Sequence, residues 1–185
     1  MTAETAYSID WLLAHMAGGS RPDFLFFWGH RGKPDRVTKA CFSQWWPAGF
    51  TVDGLHYPTT EHWMMAEKAR LFGSDAIAAQ ILREAEPKAV KALGRKVEGF
   101  DAATWDARKM DIVVAGNTHK FGQNPALRDF LLATGDQVLV EASPVDPVWG
   151  IGLAADHPDA ATPARWRGEN LLGFALMRVR DRRGG

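Results

Sequence analysis

Most of the chain reads as short helices separated by capping residues, glycine and proline. Ser8 stands as an N-cap and Gly18-Gly19 as a stop, so the spacing predicts a helix from Ser8 to about Ala17. The unbroken apolar run from Phe24 to Trp28 reads as a short buried strand. From Gly29 to about Ala40 the mixed charges of Arg31, Lys33, Asp35, Arg36 and Lys39 mark an exposed loop able to cover a site. Asp53-Gly54 breaks the segment from Phe50 to Tyr57 into a small hairpin. Pro58-Thr59-Thr60 then leads into a helix from about Glu61 to Phe72, closed by Gly73. Ser74 is expected to cap a helix to about Ala85, and Pro87 to start one reaching about Arg95.

Asp101 or Thr104 opens a longer helix expected to end near Gly116, and Asn124-Pro125 opens another ended by Gly135. Val138 to Ala142 reads as a short strand, and Ser143 to Gly168 as a polar stretch rich in glycine and proline. A last helix, about Asn170 to Asp181, carries Leu171, Leu172, Ala175, Leu176 and Val179 on one apolar face. The fold class that follows is mainly α: a single-domain helical bundle of six or seven helices with a small β element, spanning 1–185 with its core at about 24–180.

Composition narrows the function classes. A hydrophobic fraction of 46% and a length of 185 residues suit one globular core. Cys41 is the single cysteine, which excludes an internal disulfide and points to a reducing cytosol. Met1 to Leu13 carries Glu4 and Asp10 where a signal peptide carries basic residues, and no apolar run nears the ~18 residues of a membrane span, so a soluble cytoplasmic protein is expected. Basic and acidic residues balance at 22 each, which argues against tight duplex binding through net charge. The cluster Arg178, Arg180, Arg182 and Arg183 reads as a solvated helix end favoured by the helix dipole. Eight Trp stand against two Tyr; most belong to the core, leaving roughly one or two whose flat faces are available to a site.

Three constellations carry candidate chemistry. Glu61 and Lys68, seven positions apart in one predicted helix, share a face with Met64 and Met65 between them. A carboxylate and an amine on an apolar stripe are costly to bury unless paired or used; the alternative is an exposed pair at the edge of the stripe. The loop after the last strand places Asp146 three residues before Trp149, a charge beside a stacking face, or else a turn-forming Asp before Pro147. Trp105, with Arg108 and Lys109, is either core or a stacking wall. Gly150 to Ala155 fits a dinucleotide G-x-G-x-x-A pattern, but Asp156-His157-Pro158 interrupts the helix that motif needs. No two histidines lie three or four apart and one cysteine builds no zinc site, so neither a metal nor a cofactor is expected.

Taken in order, the blocks Phe42-Ser43 with Trp46-Pro47, Tyr57 to His62, Glu67-Lys68-Ala69, Leu93-Gly94-Arg95, Trp105 with Arg108, His119-Lys120-Phe121, Asn124 to Arg128, Leu132 to Gly135, Leu139-Val140-Glu141, Asp146 with Trp149-Gly150, and Gly168 to Gly173 resemble the NADAR (YbiA-like) family. The resemblance spans about 24–180. It departs at Gln44, where relatives commonly carry Asn, and at Ile151, where several carry an acidic residue.

The resemblance implies an N-glycosidase. One branch acts on ribosylamino-pyrimidine 5′-phosphates of riboflavin synthesis, and another removes ADP-ribose from guanine. It implicates Glu61, Trp105, Asp146, Trp149 and Lys68. Breaking a ribosyl C–N bond builds positive charge at C1, so Glu61 or Asp146 is expected to stabilise that charge or activate water. Lys68 offers a second route, a Schiff base to C1. Trp105 and Trp149 would stack on the base, Arg95 or Lys120 would hold phosphate, and the Trp28-Gly29 junction completes the expected substrate-binding set. The partner is a small phosphoribosyl or ADP-ribosyl molecule, with nucleic acid entering only as an ADP-ribosylated substrate and no membrane involved. The rival class is a non-catalytic ADP-ribose or nucleotide-binding module, which needs the aromatic and cationic residues but not the carboxylates. An interaction protein ranks last, since it gives no reason for Glu61 and Lys68 to share a face.

Overall fold

The computed structural model describes residues 5–32 and 36–184, so Lys33 and Asp35 of the expected covering loop, and Glu4, lie outside the described residues. Helix α1 (Ile9–Ala17) starts where the Ser8 hydroxyl accepts the Trp11 N–H at 3.0 Å. Strand β1 (Phe24–Phe27) stops one residue short of Trp28. Strands β2 (Phe50–Val52) and β3 (Leu55–Tyr57) form the expected hairpin, with Asp53 and Gly54 at φ 50° and 79° as a two-residue turn of this kind requires.

Helix α2 (Thr60–Leu71) is capped by Thr59, whose hydroxyl accepts the His62 N–H. In α3 (Asp75–Arg83) the expected Ser74 cap is not made; its hydroxyl reaches the Glu98 carbonyl instead, at 3.5 Å. Helix α4 (Pro87–Gly94) begins at Pro87. Helix α5 (Ala102–Gln123) runs well past its expected end, because Gly116 is there for packing rather than as a stop. A Cβ on it would lie 2.4 Å from Trp63 Cδ1. Helix α6 (Pro125–Leu132), strand β4 (Val138–Glu141) and helix α7 (Leu171–Gly184) complete the order. Among the described residues there are seven α-helices and two short 3₁₀ turns, Lys39–Phe42 and Pro163–Arg165.

The β element is two separate pairs rather than one sheet: β2 with β3 antiparallel, and β1 with β4 parallel in the register Phe24↔Val138 to Phe27↔Glu141. The chain divides into two compact units, Met1–Ser43 with Ala126–Gly185, and Gln44–Pro125.

In the first unit α7 packs on β4, and Leu12, Phe27, Phe42, Leu139 and Phe174 are fully enclosed. Helix α7 is buried from Leu172 to Met177 on every side, so the single apolar face expected from the spacing is too narrow. The basic cluster is not uniformly solvated either, since Arg180 is only 7% exposed while Arg182 and Arg183 face solvent. In the second unit α2 lies against α3, α4 and α5 and is buried from Thr60 to Ala66. Phe50 and Tyr57, paired across the hairpin, stack with centroids 5.6 Å apart, and both rings meet Trp63. The Trp63 indole N–H donates to the Ile112 carbonyl at 2.8 Å.

Candidate active site

Helix α2 supplies the site's carboxylate and its amine. Glu61 sits in the first turn and is 3% exposed, which excludes the exposed-pair alternative for it. A carboxylate in the first turn gains from the helix dipole, which offsets part of the cost of its burial. Its backbone N–H donates to the Gln44 carbonyl at 3.0 Å, and the Thr60 hydroxyl donates to the same oxygen. The Gln44 side chain is held by Asn117, whose amide donates to Gln44 Oε1 at 3.0 Å and to the Val113 carbonyl at 2.9 Å. That pairing leaves Gln44 Nε2 and Asn117 Oδ1 buried with no partner among the described residues.

His62, fully buried, fixes the start of the same helix. Its Nε2 meets the Glu84 carbonyl at 2.9 Å, and a carbonyl only accepts, so Nε2 carries the hydrogen. Nδ1 then accepts from the Thr59 hydroxyl at 2.8 Å. Burial pushes the His62 pKa down, which agrees with this neutral form.

Two turns along, Lys68 is half-buried and donates from Nζ to the Gly94 carbonyl at 2.9 Å. The ammonium lies 4.6 Å from the Phe100 ring centroid and 5.7 Å from that of Trp105. Burial, and secondarily the positive charge of Arg95, pull the Lys68 pKa below its ordinary value. Beside it Met65 packs onto Gly94, where a Cβ would fall 2.1 Å from Met65 Sδ and the thioether would have to swing aside. A lysine with a weakened proton, walled by aromatic rings, is suited to attack on an electrophilic carbon.

The structure thus brings together Lys68, Trp105 and Arg95, and adds Phe100, which the sequence reading passed over. Its 47% exposure on a Gly99-Phe100 corner is a signal that spacing alone does not carry. Lys120 is fully enclosed, with Nζ 5.3 Å from the Phe121 ring centroid. Arg95, the other cation expected to hold phosphate, is exposed.

The first unit carries Trp28, Gly29, Asp146 and Trp149. Because β1 and β4 are parallel, Trp28 and Ala142 leave the pair at the same end, joined by the Ala142 N–H to the Phe27 carbonyl at 2.8 Å. Trp28 is 57% exposed there and Gly29 adopts φ 77°. Asp146 Oδ1 accepts the N–H groups of Val148 and Trp149, each at 2.9 Å, so the carboxylate does organise the turn before Trp149. Gly150 and Gly168 let these loops touch backbone to backbone, since a Cβ on Gly168 would lie 2.3 Å from the Gly150 carbonyl oxygen. Asn170, at φ 53°, closes the free edge of β4 by donating to the Leu139 carbonyl and accepting the Glu141 N–H. Among the described residues no helix is long and apolar enough to cross a membrane, and no group of three acidic, His or Cys side chains is placed to hold a metal.

The chain is similar to known proteins over most of its length. The NADAR domain profile matches residues 26–182. The N-glycosidase R617 of Acanthamoeba polyphaga mimivirus is 40% identical over 163 residues, which is 85% of this chain and 95% of that protein. The N-glycosidase Npun_R5314 of Nostoc punctiforme is 35% identical over 141 residues, covering 76% of this chain and 83% of the relative. The solution structure of Escherichia coli YbiA superposes with a TM-score of 0.70 at 26% identity, over 88% of this chain and 86% of that one. This chain belongs to the NADAR domain family.

Proposed function

We propose that the protein is an N-glycosidase that hydrolyses the C–N bond between a phosphorylated ribose and a base, with Lys68 as the nucleophile. The observation that carries this reading is the Lys68 amine, its pKa lowered by burial and Arg95, held between the Gly94 carbonyl and the rings of Phe100 and Trp105. The names of the mimiviral and cyanobacterial relatives as N-glycosidases support the reaction class.

A ribosylamine opens to an imine at C1. The neutral Lys68 amine adds to that carbon, a proton passes to the departing nitrogen, and the base leaves as its free amine while the sugar stays as a Schiff base on Lys68. Water then adds to C1 and releases the sugar aldehyde with regeneration of the lysine. Glu61, earlier on the same helix, is the carboxylate assigned to that water or to the ribose hydroxyls. Trp105 and Phe100 stack on the base, and Arg95 meets the phosphate.

The preferred substrate is a ribosylamino-pyrimidine 5′-phosphate, which needs one such cation. One feature favours the second branch, ADP-ribosylated guanine: Arg95 continues into a groove of about 650 Å³ that also carries Trp45, Lys88 and Lys91. A diphosphate and a second base fit that groove better than a lone phosphate does. Release of free base from the two substrates, compared between wild type and Lys68→Ala, tests the assignment. Turnover of either that vanishes in the variant supports it and names the branch. Retained ADP-ribose binding with no turnover of both would make the protein a binding module.

A further inference from the structure

We propose that the first unit holds a second small-molecule site, built partly from residues that precede the NADAR match, for a neutral planar heterocycle with a 2-amino-4-oxo edge. It is a cavity of about 560 Å³ bounded by α1, the segment leading to β1, the start of β4 and the end of α7. Its wall before residue 26 includes Trp11 and His15, whose rings stack at 5.1 Å and 12°. Tyr7 meets Trp11 edge-on and donates its hydroxyl to Asp181 at 2.6 Å. Burial and Asp181 push the Tyr7 pKa up to about 12, so it remains a fixed donor to that carboxylate.

The opposite wall holds Arg180, 7% exposed and lining the cavity. Its Nη1 donates to the Thr134 hydroxyl at 3.0 Å and the Gln137 carbonyl at 2.8 Å. Among the described residues it forms no ion pair, and Nε and Nη2 donate to none of them. A buried guanidinium with an unused donor edge is expensive unless a ligand or solvent accepts from it.

Charge selects the ligand class. The lining has three carboxylates, Asp23, Asp136 and Asp181, against the guanidiniums of Arg21 and Arg180, so a phosphate or other anion is disfavoured. A neutral ring resolves this balance. Its carbonyl accepts from Arg180, its amino and ring N–H groups donate to Asp136, and its plane packs against the aromatic wall of Tyr7, Trp11 and His15. A donor-donor-acceptor edge of that kind belongs to 2-amino-4-oxo pyrimidines and purines.

The probe is 2-amino-4-hydroxypyrimidine, with cytosine and inorganic phosphate as controls, titrated into the full chain while the backbone amide resonances of Gln137 and Val138 on the cavity wall are followed. Saturable shifts with the first compound are expected, weakened at least tenfold by Asp136→Asn and by Trp11→Ala and retained in Lys68→Ala. Asp136 is exposed, so its variant tests recognition without disturbing the core. No saturable shift at millimolar concentration, equal binding of cytosine, preference for phosphate, or binding indifferent to both substitutions would overturn the proposal.

Discussion

Lys68 and Gly94 are joined by a 2.9 Å hydrogen bond from the side-chain ammonium to the backbone carbonyl at the end of α4. Gly94→Ala brings its Cβ against Met65 Sδ, and the thioether must swing to another rotamer within a buried contact, so a loss of about 1 kcal/mol in urea unfolding is expected.

Arg95 raises the energy of the Lys68 ammonium, so removing its charge raises the Lys68 pKa. In the proposed mechanism the reactive species is the neutral amine, so turnover is expected to rise with pH through that ionisation. The acidic limb of the pH-rate profile is expected to move to higher pH in Arg95→Gln, with a larger KM if the same side chain holds phosphate. An unmoved limb would disconnect the two residues.

His62 sets a pH dependence of stability. Its folded pKa lies below the ordinary 6.5, so the unfolded chain binds the proton more tightly. The stability associated with neutral His62 is fully present above that ordinary value and is lost as pH falls through the folded pKa. The slope contributed by this one site cannot exceed about 1.4 kcal/mol per pH unit. Urea midpoints measured from pH 8 downward should show this loss in the wild type and a flatter dependence in His62→Gln.

Asp146 is seated by two backbone N–H groups, and an Asn in its place keeps an oxygen for both. Asp146→Asn is accordingly expected to fold with wild-type stability. If the carboxylate also serves the reaction, turnover drops by ~10² or more. A variant with both stability and turnover intact would confine Asp146 to the turn.

Asn170 supports β4 with both ends of its amide. Asn170→Asp replaces the donor to Leu139 by an oxygen facing a carbonyl, and a loss of about 1–3 kcal/mol is expected in thermal or urea unfolding.

The helix starts were legible in sequence at Ser8, Thr59 and Asp101, because a capping side chain acts through a bond made within three residues. Sequence signals misled where one residue type serves two ends. Gly116 reads as a terminator but is a contact surface for Trp63 across 53 positions of chain. Lys120 reads as an available cation but is enclosed, and Arg180 reads as part of a solvated end but lines a cavity. The pairing of β1 with β4 and the meeting of Lys68 with Phe100 are long-range facts, and neither leaves a periodic trace in the chain. The candidate chemistry on α2 was visible because Glu61 and Lys68 break an otherwise apolar pattern at helical spacing.

Borohydride trapping tests the central claim most directly. Wild type incubated with a ribosylamino-pyrimidine 5′-phosphate or an ADP-ribosylated guanine, reduced and digested, should yield a sugar adduct on the peptide containing Lys68, absent in Lys68→Ala and in unreduced samples. Turnover of the substrate with no adduct on Lys68, or persistent turnover by Lys68→Ala, would contradict it.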